Sequence, residues 1–441
     1  TRILEDDKIN GSDIQLTIDI ELQRILQEEL MDIVNLTDSK GANGLIMNPH
    51  NGEIIAMASI PDFNPNFYNE FDITSFKNSV ISDSYEPGST LKIVPYALAL
   101  ESGNYSSKDS IFCENGSYRL SNKLMLNDHE EHGFLSLEEI LIHSSNIGIS
   151  KVSDSFNRKS MYKFLKKFGF GNKTYLPLGN EAQGKVRRTS NWSKTSKNYI
   201  SIGQEISVTN LQLALAYCSI ANGGYIIKPT IIKNVIKNNN ISFTNKTNKI
   251  RRVLNENTAQ NILNTLKLVV SDGTAQSINL KGYNVAGKTG TAQKSINGEY
   301  SEFISTFASI FPSDNPQFVM IISIDEPVYG KHWANLSAIP ASREIIKRML
   351  IMDKQLHRNT SNKLYADTNV ESGSKSMGKQ INEVEGFPDF RGKTLRESLK
   401  IAGAIGIRLN PKGISGTVLN QSITPGTKLK PDMTCNIRMK I

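Results

Sequence analysis

Five apolar runs with strand character lie at two distant places in the chain, and they constrain its fold more than any other feature. Residues 44–47 and 53–59 flank a loop holding Asn51-Gly52, a strong hairpin signal. Residues 283–287, 303–311 and 317–325 supply three more runs, the last two joined by a Pro-Ser-Asp-Asn-Pro turn. Between the two groups, the stretch from Ser89 to about residue 220 reads as mostly helical, with short helices at 135–142, 162–168 and 209–221. Further helices are expected at 20–34, capped by Asp19, at 258–270 and at 336–350, with Pro340 near the start of the last. Two early and three late strands predict one five-stranded antiparallel sheet with helices on both faces, an α+β domain.

The chain does not end with that domain. Its 441 residues allow two or more domains, and residues 353–385 are too polar to bury a core, so they read as a flexible linker. Residues 386–441 then predict a compact αβ module, with a helix at 394–402 and a last strand whose Cys435, Ile437, Met439 and Ile441 share one face. Of the net charge of +8, this module carries +7, from ten Lys and Arg against three Asp and Glu. That excess fits an anionic polymer or headgroup as well as an ordinary solvated face, and no nucleic-acid-binding motif accompanies it. No apolar window is long enough to span a bilayer. The chain opens on Thr1, so an N-terminal portion carrying any signal or anchor is expected to precede it. The three cysteines are far apart, and His129-Glu-Glu-His132 lacks metalloprotease spacing, so neither a metal nor a cofactor is indicated.

Chemistry concentrates at Glu86-Pro-Gly-Ser-Thr-Leu-Lys92, where a turn runs into an apolar helical segment. Ser89 and Lys92 are three apart and share a face, which sets an amine beside a hydroxyl nucleophile. Alone, this tetrad is common on ordinary helices. Two further elements follow in order: Ser144-Ser145-Asn146 after an apolar helix end, and Lys288-Thr289-Gly290-Thr291 at the end of an apolar strand.

The ordered set Ser-x-x-Lys, Ser-x-Asn, Lys-Thr-Gly is that of β-lactamases and penicillin-binding proteins. With Leu16-Thr-Ile-Asp19, Pro61-Asp-Phe-Asn-Pro-Asn66, Gly203-Gln204 with Thr209, and Ala221-Asn-Gly-Gly224, residues 11–350 resemble the class B penicillin-binding proteins, and the cell-division branch most. Phe387-Pro-Asp-Phe-Arg-Gly392, Gly416-Thr-Val418 and Gln421-Ser-Ile-Thr-Pro-Gly426 resemble one PASTA repeat. The resemblance implies a penicillin-binding-protein/serine β-lactamase-like transpeptidase fold over residues 11–352, after a pedestal remnant at 1–10, with the linker and PASTA module following.

It also implies roles. Ser89 is the acylated nucleophile, Lys92 its base, Ser144 a proton relay, and Asn146 a holder of substrate amide and Lys92. Lys288 and Thr289 bind the terminal carboxylate, Gly290 lets substrate lie on the strand edge, and the N–H groups of Ser89 and Thr291 form an oxyanion hole. To act as a base, Lys92 must have a pKa lowered to about 7–8, by burial and by Lys288. The implied partners are peptidoglycan stem peptides, β-lactams as covalent inhibitors, a membrane glycosyltransferase and other division proteins, on the periplasmic side of the cytoplasmic membrane. A serine β-lactamase and a non-catalytic wall-binding protein are the alternatives. Two residues stand outside the pattern. Glu205 sits where the family commonly has glycine, predicting a reshaped loop, and Pro95 lies inside the nucleophile helix, predicting a distortion or a later start. Ser145 reads as a spacer, His143 as a packing or capping residue, and Gly203 and Thr209 as supports of the cleft floor.

Overall fold

The computed structural model describes residues 11–352 and 386–440, apart from 123, 281–282, 297–298, 405–406, 413–416 and 429–432. The expected pedestal remnant and linker therefore lie outside the described residues, as does Ile441. Two compact units are present, Thr1–Thr368 and Asn369–Ile441.

The first unit is built on the expected sheet. Its strands are β1 (Gly41–Met47), β2 (Ile54–Ile60), β3 (Ala286–Ile296), β4 (Glu299–Phe311) and β5 (Phe318–Asp325), in the order β3-β4-β5-β1-β2 and antiparallel throughout. Helix α1 (Ile20–Thr37) starts where Asp19 accepts hydrogen bonds from the N–H groups of Glu21 and Leu22. It packs so close to β1 that a Cβ on Gly44 would meet Leu26 at 2.5 Å. The Gln23 side chain bonds to both the N–H and the C=O of Met57, which occupies part of the free edge of β2.

Three short segments frame the cleft. They are α2 (Ile93–Glu101), α3 (Leu137–Ile142) and α4 (Asn146–Asp154). Helix α5 (Asn210–Ala221) is buried along its whole length, and Thr209 and Gln212 close its N-terminus with a reciprocal capping box. Strand residues alternate between faces, so Ser323, which donates to Asn210 on α5, marks the face opposite Ile322, the partner of Gly44. Helix α6 (Glu256–Ser271) packs beside α5, and α7 (Ala338–Met352) packs beside α1, where Arg348 reaches Glu28 and Glu29.

Several expectations are corrected. The stretch after α2 is not uniformly helical: Ser110–Phe112 pairs with Phe134–Ser136, and Ser117–Ser121 with Leu124–Asn127. Pairs of three to five residues are too short for their periodicity to stand out against helix. Asp13–Leu16 joins Ile232–Lys237 and Asn240–Thr244 in a small separate sheet that was not foreseen. Strand β3 begins at Ala286 and runs on to Ile296, so Lys288–Thr291 lies within a strand rather than at its end.

In the second unit, a helix (Leu395–Ala404) accompanies three strands, with Thr434–Lys440 central between Arg408–Lys412 and Thr417–Gln421. Cys435, Ile437 and Met439 are buried with Phe387, Phe390 and Val418, as the alternation required.

Candidate active site

Pro87 and Gly88 make the turn that delivers Ser89, with Gly88 at φ 53°, a conformation glycine adopts without steric cost. The chain first winds as a 3-10 turn over Gly88–Lys92 and becomes α-helical only at Ile93. That late start explains Pro95. It lies in the first turn of α2, where backbone N–H groups have no intrahelical partner to lose. In a 3-10 turn, residues three apart eclipse each other, so Ser89 and Lys92 stack along one edge.

Lys92 is fully buried, and its ammonium donates to the carbonyl of Ser144, to Ser144 Oγ (3.2 Å) and to Asn146 Oδ1 (2.7 Å). These contacts engage its three hydrogens, and no hydrogen bond to Ser89 forms among the described residues. Lys288, also fully buried, donates to Ser144 Oγ at 2.9 Å and to the Thr289 carbonyl at 3.3 Å. One hydroxyl thus sits between two amines. A neutral amine on either side could accept the hydroxyl's own hydrogen.

Burial lowers the Lys92 pKa to about 7, against a smaller upward pull from Asp128. Burial also drives Lys288 well below its ordinary value, and the neighbouring Lys92 adds to the effect. The expected perturbation is present, with burial as its main cause; the repulsion between the amines bears on Lys288.

Ser144 takes the left-handed conformation (φ 60°) between α3 and α4, at a cost of about 1–2 kcal/mol for a residue with a Cβ. The turn is held by Asp128, which accepts from Ser145 Oγ (2.6 Å) and from the N–H groups of Asn146 (2.5 Å) and Ile147 (3.0 Å). Asp128 escaped the sequence reading because it follows a short strand and belongs to no spaced motif. Ser145 is more than a spacer: it caps α4 by accepting from Gly148. His143 is the C-cap residue of α3. Asn146 gives one amide hydrogen to the Asn127 carbonyl, leaving one for another acceptor.

The reason for Gly290 is also corrected. A Cβ there would meet the Pro87 carbonyl and Thr90 Cγ2, both at 2.9 Å, so glycine lets β3 pack against the turn that carries Ser89. Strand β3 is nonetheless at the sheet edge, where an extended peptide can add. On the other side of the turn, Gly88 donates to the Gly203 carbonyl at 3.1 Å, and a Cβ on Gly203 would collide with the Gly88 carbonyl. Glu205 is left-handed (φ 57°), its N–H donates to Glu86, and its carboxylate pairs with Arg187. The loop thus keeps a glycine-like conformation without glycine.

Ser89, Ser144, Asn146, Thr289, Thr291 and Trp333 line one cleft of about 570 Å³. Trp333 stacks near His129 and His332, and Phe303 lies on His332, an aromatic wall that no sequence motif indicated.

The model of the penicillin binding protein transpeptidase domain matches residues 44–347. The chain belongs to this family. A PASTA domain matches residues 387–439. A peptidoglycan D,D-transpeptidase FtsI homolog of Mesostigma viride is 31% identical over 77% of this chain and 62% of that protein. Stage V sporulation protein D of Bacillus subtilis is 29% identical over 96% of this chain and 64% of its own length. The chain therefore spans less than two thirds of the curated relatives it matches first. Among solved structures, penicillin-binding protein 3 of Mycobacterium tuberculosis aligns with a TM-score of 0.72 and 29% identity, over 79% of this chain and 81% of that one. The same protein has also been solved in complex with ampicillin. The transpeptidase domain thus has the expected penicillin-binding-protein fold, and no described helix is long and apolar enough to cross a membrane.

Proposed function

We propose that this penicillin-binding-protein family member is a peptidoglycan D,D-transpeptidase of septal wall synthesis, working through a Ser89 acyl-enzyme that β-lactams mimic. The observation that carries this reading is the buried Lys92, with its pKa at about 7, one 3-10 turn from Ser89 and hydrogen-bonded to Ser144.

Two buried amines sharing one hydroxyl hold at most one proton near neutrality. A substrate carboxylate arriving at Lys288 and Thr289 favours that proton on Lys288 and leaves Lys92 neutral. Ser89 Oγ then bonds to the carbonyl carbon between the two terminal D-alanines, and its proton passes to Lys92. The N–H groups of Ser89 and Thr291 receive the oxyanion, each such donor typically contributing about 3–4 kcal/mol to the transition state. As the C–N bond breaks, the proton moves from Lys92 through Ser144 to the departing amine. An amine of a second stem peptide attacks the ester, gives its proton to Lys92, and Ser89 leaves reprotonated.

A β-lactam follows the first half of this course, but its leaving nitrogen stays tethered. A membrane glycosyltransferase and other division proteins are the partners, with the domain on the extracytoplasmic side of the cytoplasmic membrane. The relatives' names and the PASTA match favour this over a secreted β-lactamase or a non-catalytic wall-binding protein. The test is labelling with a fluorescent penicillin, followed by mass spectrometry. The wild type should carry a long-lived adduct on the Ser89 peptide, and Ser89→Ala none. Rapid turnover of the adduct would favour the β-lactamase reading, and full labelling of Ser89→Ala would overturn the assignment.

A further inference from the structure

Beside the cleft, Glu130, His132 and His143 bring one potential ligand atom each to within 4.8 Å of the others. His132 Nε2 lies 3.7 Å from a Glu130 oxygen, and the two imidazole rings are 5.0 Å apart. Three nitrogen or oxygen donors around a tetrahedral zinc ion, each at about 2.1 Å, stand about 3.4 Å from one another, so small side-chain rotations close the set. A second observation points to a ligand: His132 Nε2 is buried and has no hydrogen-bond partner among the described residues. A buried imidazole nitrogen without a partner is costly, and a metal ion would satisfy it.

The backbone holds both halves of the cluster. The His132 carbonyl accepts from Asn115, and the Gly133 carbonyl accepts from Cys113. His143 ends α3, where its N–H donates to Glu139, and Asp128 ties the same loop to the turn after Ser144. No spaced motif marks this cluster, because two ligands are adjacent but one and the third is eleven positions further along.

We propose that Glu130, His132 and His143 bind one divalent transition-metal ion, taken up as zinc, with a fourth position open to solvent. Imidazole and carboxylate donors suit that ion, and a Glu-His-His set matches its known coordination. The ion is a strut between the loop carrying Asp128 and the turn carrying Ser144; it takes no part in acyl transfer.

The test is calorimetric titration of the chelator-treated full chain with zinc chloride, alongside thermal melts. One equivalent should bind and raise the melting midpoint. His132→Gln and His143→Asn should each weaken binding by more than about tenfold and abolish the thermal shift. The neighbouring His129→Gln should retain both. Penicillin labelling confirms that each variant is folded, and Glu130→Gln provides a third, milder probe if either histidine variant is not. Absence of binding to the wild type would overturn the proposal, as would equal binding by all the variants, which would mark the ion as adventitious.

Discussion

Lys288 and Lys294 lie six residues apart on the same strand, and their surroundings treat the same ammonium in opposite ways. At the cleft end, Lys288 is fully buried with a second amine and no carboxylate partner among its hydrogen bonds, and its pKa is driven far down. Toward the far end, Lys294 is partly desolvated too, but Asp325 and Glu326 bond to it and raise its pKa. One strand therefore carries a balanced charge that serves the fold and an unbalanced one that serves the cleft. Sites that keep an uncompensated amine dry trade stability for reactivity.

That contrast can be broken experimentally. Lys92→Met should slow acylation by benzylpenicillin roughly 10²–10⁴-fold, as expected for loss of a general base. It should also raise the melting midpoint, whereas Lys294→Met should lower it. The sign follows from linkage. The folded pKa of Lys92 lies below its unfolded value, so between about pH 7 and 10.5 the unfolded chain binds more protons and wild-type stability rises with pH. The thermal advantage of Lys92→Met should therefore be full at pH 7 and shrink toward pH 10. A variant as slow as predicted but less stable at every pH would undo the trade-off while leaving the base assignment intact.

A smaller effect is expected at Asp128. Asp128→Asn should slow acylation about tenfold by loosening the turn that holds Ser144. Because Asp128 raises the Lys92 pKa, its neutralisation should also move the acid limb of the rate profile to lower pH. A purely structural role would slow the reaction without that displacement.

Glu205→Gly should change least. Glycine relieves the left-handed cost of about 1–2 kcal/mol but loses the half-exposed Arg187 pair, worth about 0–1 kcal/mol. Denaturant unfolding should find a difference within about 2 kcal/mol.

The residues of the site were legible because their chemistry lies in short, ordered motifs. The Asp19 cap of α1 and the alternation of Thr434–Lys440 were legible because caps and periods are local signals. The rest depended on contacts between distant segments. Asp128 acts through a turn seventeen positions away, Gly290 answers to the Pro87 carbonyl, and Ser144 Oγ takes on both amines at once. Pro95 was legible as a conflict with two outcomes, a distortion or a later start, and the 3-10 turn before Ile93 selects the later start.

The most direct test of the buried-amine account is the pH dependence of the second-order acylation constant with benzylpenicillin. The account predicts an acid limb with its midpoint near pH 7, falling about tenfold per unit below it, and absent from the residual rate of Lys92→Met. A rate that stays flat from about pH 5 to 9, or a limb that survives in Lys92→Met, would contradict it.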